Sequence, residues 1–257
     1  MSGDTSKIED EGATQNAAQI LPLGQDGLLV RFALTAEPWA SAAAQALHDL
    51  ARETPPEGVV RIVPSLVSVL FRFDPARTGR AAVHQQIETL LEGRDWRQAV
   101  PKPAGRIWHV PAAFGGRHGP DLEECARLAG LSPDTAINQI TATHLRVLAI
   151  GFAPGQPYLG LLPEAFDMPR MSRLNPRVPQ GAIALAVRQL VLFSNASPTG
   201  WRQVARTAFR PFRPESEPPV PLRTGDELRL VPVPADALDA LLAAGDPAGG
   251  ARCEIRP

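Results

Sequence analysis

LRVLAIGFAPGQPY, residues 145–158, is an apolar run of strand type that passes directly into a turn of glycine and proline. From Val147 to Gly151 every residue is apolar or small, which predicts a buried strand. Gly151, Pro154, Gly155 and Pro157 then rule out a regular continuation. Proline fixes φ at about −65° and glycine has no side chain to obstruct a neighbour, so their alternation makes a loop that is rigid yet open to a ligand. Phe152 and Tyr158 add flat apolar surface beside it, and Tyr158 is the only tyrosine of the chain. A phenol joins an apolar body to a polar tip, which suits a pocket wall. The same stretch also fits a plain strand-to-loop corner with both aromatics in the core; the density of special residues favours a site.

Downstream, residues 182–187 (AIALAV), 189–194 (QLVLFS), 201–207 (WRQVART) and 226–233 (DELRLVPV) read as strands parted by turn residues. Four strands after the first predict a β-barrel. Pro163, Pro169, Pro176 and Pro179 punctuate a long connection that carries Arg170, Arg173 and Arg177, and such long loops are often functional. Upstream, Gly115, Gly116 and Gly119 precede Pro120 and an acidic first helical turn. That pattern is either an ordinary helix start or an anion cradle, in which N–H groups freed at Gly115 and Gly116 lie beside Arg117 and His118. Ser132, followed by Pro133, caps a second short helix.

The first half reads as a strand (26–34), an alanine-rich helix (38–53), a hairpin or interrupted strand (59–63 and 66–73) and a second helix (79–92). A strand at 106–110 would complete a ferredoxin-like βαββαβ order. The proline-rich run 98–105 serves equally as a linker, and the domain boundary is placed there. The expected organisation is a disordered arm over 1–19, an α/β domain over 20–100, a barrel over 101–235, and a short helix with a flexible tail over 236–257.

Composition narrows the function. A net charge of −1 gives no global field for nucleic acid or a membrane surface. Residues 1–20 lack a basic start followed by an apolar run, and Cys125 and Cys253, the only cysteines, form no disulfide framework or zinc motif, so a cytoplasmic protein is expected. Lys7 and Lys102 are the only lysines among 26 basic residues, an arginine excess that reflects coding bias or bidentate anion binding. No phosphate loop, nucleophile elbow or zinc-protease motif is present, and the five histidines are scattered, so no metal site is expected and the catalytic residues stay unassigned.

FGGRHGPDLEE, GFAPGQPYLGLLPE, PRVPQGAIALA, SPTGW and PLRTGDELRLVPV, in that order, resemble the 5-oxoprolinase B-subunit (PxpB) family, also called KipI-like or allophanate hydrolase subunit 1, a carboxyltransferase subdomain C and D fold. The resemblance covers about residues 20–234. It implies an α+β architecture, with a ferredoxin-like N-terminal domain followed by a cyclophilin-like β-barrel. It further implies a hetero-oligomer with a homologous second subunit of the PxpC or KipA kind and a LamB-type subunit, acting with ATP on a small carboxylate-bearing amide or lactam such as 5-oxoproline. KipI-type members instead inhibit a sensor histidine kinase.

Three segments form the expected substrate pocket: Gly151, Phe152, Pro154, Gly155 and Tyr158; Arg170, Arg177 and Pro179; and Ser197, Pro198, Gly200 and Trp201. Gln189 joins them, since an amide donates and accepts together while guanidinium grips carboxylate. The family pattern has an aromatic residue where this chain has Gln156, a tyrosine and a carboxylate at Phe114 and Arg117, a histidine near Ile140, and glycines at Val187 and Arg188. Those last two changes are expected to close a backbone approach.

Overall fold

The computed structural model describes residues 18–256. The expected N-terminal arm lies outside the described residues up to position 17; Gln19 already belongs to a strand. Within the described residues the chain divides into two units, one running to Val63 and including Val67–Ala99, the other comprising Pro64–Leu66 and the chain from Val100 onward.

The smaller unit holds β1 (Gln19–Leu23), β2 (Gly27–Arg31), α1 (Pro38–Glu53), all but the last two residues of β3 (Val59–Ser65), β4 (Ser68–Phe73) and α2 (Arg80–Leu91). Its sheet runs β1-β2-β4-β3. Leu28, Val30 and Phe32 alternate along β2, and Val69, Phe71 and Phe73 along β4, so the two-residue strand period sends both sets to one face. Small Ala40, Ala43, Ala44 and Ala51 let α1 lie close against that face, and Val83, Ile87 and Leu91 of α2 complete the core. Phe71 is fully buried, and its truncation to Ala would cost about 3–5 kcal/mol.

The strand expected to close this sheet does not join it. Arg106–Val110 is the first part of β5 (Arg106–Phe114), which pairs entirely within the larger unit. The edge beside β2 is taken instead by β1, a strand hidden in the polar-looking start, through the register Gln19↔Arg31 to Leu23↔Gly27.

The larger unit continues with α3 (Leu122–Leu128), α4 (Pro133–Ala142), β6 (Leu145–Ile150), β7 (Pro157–Gly160), β8 (Asn175–Val178), β9 (Ala182–Ala186), β10 (Gln189–Leu192), β11 (Ser197–Thr199), β12 (Arg202–Arg206), β13 (Glu227–Pro232), α5 (Ala235–Ala244) and β14 (Arg252–Ile255). Seven strands in the order β12-β9-β10-β7-β6-β13-β5 close into a barrel through β12–β5 pairing. Val147, Leu159, Ile183, Leu185, Leu190, Leu192 and Val204 share one core with α3 and α4. The quoted stretch thus supplies two barrel strands. Part of the expected loop is β7, antiparallel to β6 and β10.

Closure is asymmetric. One edge of β5 pairs in parallel with β13 over Ile107 to Ala112. The other edge is shared: β12 takes only Ala113 and Phe114, and β14 takes Arg106 to His109. Pro111, which has no N–H to offer, stands in the gap between these two partners. The tail expected to fray therefore contains an ordered strand that fills the seam.

Candidate functional site

Alternation along β7, β10 and β9 sends a second set of side chains to the outside of the barrel. Tyr158 and Val191 face Ala184 there, and Gln189 pairs with Ala186 and with Gly160. Small residues keep this face shallow, and the β8–β11 ribbon lies across it, with Val178, Phe193 and Trp201 packed into the same cluster. Tyr158 meets Trp201 edge-on with ring centroids 6.1 Å apart, an aromatic pair of favourable geometry. The Arg170 guanidinium lies over the Trp201 ring, 5.4 Å from its centroid. Cation–π attraction holds the charge in place while leaving its N–H groups available.

The structure thus gathers Tyr158, Arg170, Pro179, Gln189, Ser197, Gly200 and Trp201 around one ribbon. Gly200 allows close passage of the chain, its carbonyl accepting from Met171 N at 2.7 Å, and Thr199 Oγ1 accepts from Trp201 N at 3.0 Å. Gln189 is 6% exposed. Its amide is one of the few polar groups on an apolar face, equipped to donate and accept at once.

Other expected residues point elsewhere. Arg177 alternates with buried Val178 and is exposed, and Pro198 is also exposed. Phe152 holds a left-handed backbone (φ 70) with its ring 83% exposed, so it walls no pocket. Gly151 N donates to Gln156 O at 3.0 Å, closing the loop on itself. Gly155 (φ 68) is required on two counts, because a Cβ there would also lie 2.5 Å from the carbonyl oxygen of Pro211. Pro154 is exposed at the tip.

Gln156, marked in the sequence only as a departure from the family's aromatic residue, was not among the expected pocket residues. It is 2% exposed and its Oε1 has no hydrogen-bond partner among the described residues, and the strand period places it on the face of Tyr158. The signal was a polar residue two before an outward-facing aromatic.

Val187 and Arg188 form a two-residue hairpin between β9 and β10, with φ of 45° and 61°. Two positive φ values are the geometry that glycine or asparagine normally supplies. Glycines here would thus serve the turn itself, and the expectation of a closed backbone approach is corrected. The turn splints the segment leading to Arg170: Val187 N donates to Met168 O (2.8 Å), Leu162 N to Arg188 O (2.8 Å) and Arg188 Nε to Leu162 O (2.9 Å).

The glycine-rich segment is not an open anion cradle. Gly115 N donates to Val204 O at 3.1 Å, and Gly119 N and His118 N turn back onto Gly115 O. Gly116–His118 forms a single 3-10 turn. Arg117 pairs with Asp236 at 2.9 Å and with Asp239, both on α5. Buried His118 brings Nε2 within 3.0 Å of the same Asp239 carboxylate. The Arg117 hydrogen bond, with smaller help from Asp239's other neighbours, holds the Asp239 carboxyl below its ordinary range. These charges fasten α5 to the barrel.

Two further groups are structural. Burial pushes the Cys125 thiol up to about 12, so it is not a nucleophile at neutral pH. Burial also raises the Asp226 carboxyl against the pull of Arg223 N, Arg106 and Trp108 Nε1, which donates at 3.1 Å. Among the described residues no helix is long and apolar enough to cross a membrane, and no group of three or more His, Cys, Asp or Glu is placed to hold a metal ion.

A seven-stranded barrel follows a small α/β unit along the chain, and the family to which this arrangement belongs is given by comparison. The chain belongs to the family described as carboxyltransferase domain, subdomain C and D, whose model matches residues 18–222. It is 30% identical over 221 residues to the 5-oxoprolinase B-subunit of Bacillus subtilis (strain 168), covering 83% of this chain and 92% of that one. To the 5-oxoprolinase B-subunit of Escherichia coli O157:H7 it is 35% identical over 140 residues, 54% of this chain and 64% of the other. Among solved structures it resembles TTHA0988, with TM-score 0.66 and 28% identity over 81% of this chain. The Kluyveromyces lactis urea carboxylase shares the fold, with TM-score 0.72 and 16% identity over 93% of this chain. The chain spans 40% of the TTHA0988 chain and 24% of the urea carboxylase.

Proposed function

We propose that this chain is the B-subunit of an ATP-dependent 5-oxoprolinase, working with a homologous second subunit and a LamB-type subunit in the cytoplasm. The observation that carries the reading is its 30% identity to the B. subtilis protein of that name, along 92% of that protein's length. On this reading the barrel is cyclophilin-like, and the smaller unit is a ferredoxin-like variant whose edge strand comes from β1.

The outer-face patch suits a small lactam bearing a carboxylate. Arg170 is oriented by Trp201 to take the carboxylate, Gln189 can pair with both the N–H and the C=O of the ring amide, and Tyr158 packs against its methylene groups. A lactam carbonyl is a poor electrophile. Transfer of the ATP γ-phosphoryl to its oxygen, with ADP leaving, makes the carbon open to water; the tetrahedral adduct then breaks the ring C–N bond, the nitrogen taking up a proton, and hydrolysis of the resulting acyl phosphate releases the open amino acid and phosphate. This chain has no phosphate loop, so ATP binding falls to the complex. Phe152, strained and almost fully exposed, offers a partner an aromatic anchor.

The test is ATP-dependent turnover of 5-oxoproline by the chain alone and after co-expression with its partners. Activity of the complex and none of the single chain is expected. Turnover by the single chain, or two separate peaks on size exclusion at micromolar concentration, would overturn the reading.

A further inference from the structure

α5 ends at Gly245, whose left-handed backbone (φ 71) turns the chain toward Asp246. Between this helix end and the end of β12 lies a small, open depression. Arg206, Thr207 and Arg210 line it from the β12 side, and Leu241, Leu242 and Asp246 from the α5 side. It is separate from the Tyr158–Trp201 patch and takes no part in the function proposed above.

Its charges are unspent. Arg206 Nε donates to Gln180 O at 3.2 Å, but the half-buried guanidinium is in no ion pair among the described residues, and neither is Arg210. Burial lowers the Arg206 pKa, with only the more distant Asp239 opposing it. A buried guanidinium without a counter-charge is costly, so an anion arriving there is favoured. Thr207, although only 1% exposed, lines the depression, and its Oγ1 accepts from Phe209 N at 3.1 Å, so its O–H still has a hydrogen bond to donate.

The opposite side has the opposite sign. Asp246 Oδ1 accepts from Ala248 N at 2.9 Å; its carboxylate is in no close ion pair among the described residues, although it attracts the Arg213 guanidinium at longer range. The last-turn carbonyls of α5 add the negative end of a ten-residue helix. Cationic and anionic groups thus line one small depression without a close ion pair between them, their other partners, Asp239 for Arg206 and Arg213 for Asp246, acting only at longer range. A simple anion would face Asp246, and a simple cation would face the arginines. A small zwitterion satisfies both sides.

We propose that this depression binds a small α-amino acid, its carboxylate on Arg206, Arg210 and the Thr207 hydroxyl, and its ammonium on Asp246 and the α5 carbonyl end. Leu241 and Leu242 leave room only for a short apolar side chain.

Calorimetric titration of the full chain with glycine, L-alanine, propionate and ethylamine tests this. L-Alanine should bind at least about tenfold more tightly than propionate or ethylamine, each of which lacks one charge-assisted contact. Asp246→Asn keeps an oxygen for Ala248 N, so its melting temperature should stay within about 2 °C of the wild type. In it, L-alanine should fall to the affinity of propionate. Arg210→Gln should weaken L-alanine at least about tenfold, and it decides the matter alone if Asp246→Asn unfolds. No heat from glycine or L-alanine up to about 50 mM, equal affinity for propionate and L-alanine in the wild type, or unchanged L-alanine binding in Arg210→Gln would each overturn the proposal. None of these readouts depends on turnover of 5-oxoproline.

Discussion

Val187 carries a branched side chain at φ 45, where an L-residue loses about 1–2 kcal/mol to contact with its own backbone. Asparagine tolerates that conformation, so Val187→Asn should raise stability by about 0.5–1 kcal/mol in urea unfolding. Arg188→Gly should be close to neutral, because relief of strain is offset by loss of the Nε bond to Leu162 O. Cysteine reactivity gives a second check. Cys125 is buried with its thiol pushed up to about 12, and Cys253 is exposed, so a native chain should react with one equivalent of a thiol reagent at pH 8 and an unfolded chain with two. Arg170→Ala removes a surface cation–π contact worth about 0.5–1 kcal/mol, whereas exposed Arg177→Ala should shift stability by less than about 0.5 kcal/mol. If calorimetry showed Arg177→Ala weakening a carboxylate ligand more than Arg170→Ala does, the outer-face patch would be the wrong site. Aromatic and glycine positions of the patch were legible because their chemistry is local. Gln156 was not, because burial without a partner is a property of the folded chain.

Individual elements were read well wherever one periodicity dominated. The α1 and α2 helices and the four later barrel strands follow from apolar spacing alone. Partner choice is another matter: RIWHV identifies a strand but carries no address for the sheet it joins, and β1, a short QILPL with a proline inside it, shows no clear alternation. The link from α5 to the segment Gly116–His118 gives an element-scale prediction. Arg117 favours the ionised form of Asp239 in the folded state, so its contribution is present above the ordinary carboxyl pKa of about 3.9 and is lost as pH falls through the lowered value. The pair is exposed and therefore weak. Wild type should melt about 1–3 °C above Arg117→Gln at pH 7, with the difference closing below about pH 3 in circular-dichroism melts.

At the scale of the molecule, two cores form in one chain, and the larger depends on how its barrel is closed. β12 meets β5 through only two residue pairs, while β14, the last element described, covers four more positions of the same edge. Deleting residues 251–257 should therefore speed hydrogen exchange at Arg106 to His109 and lower the melting temperature, leaving exchange in β2 and β4 unchanged. Equal protection of those four amides in the shortened chain would show that β14 is dispensable. A fully closed barrel has no free margin, but here Arg106 to His109 of β5 are covered only by β14, a short strand whose own outer edge pairs with no other strand among the described residues. Fraying or proteolytic clipping at Gly249 and Gly250 would bare a ready template, and neighbouring copies would be expected to stitch together along β5 into aggregates.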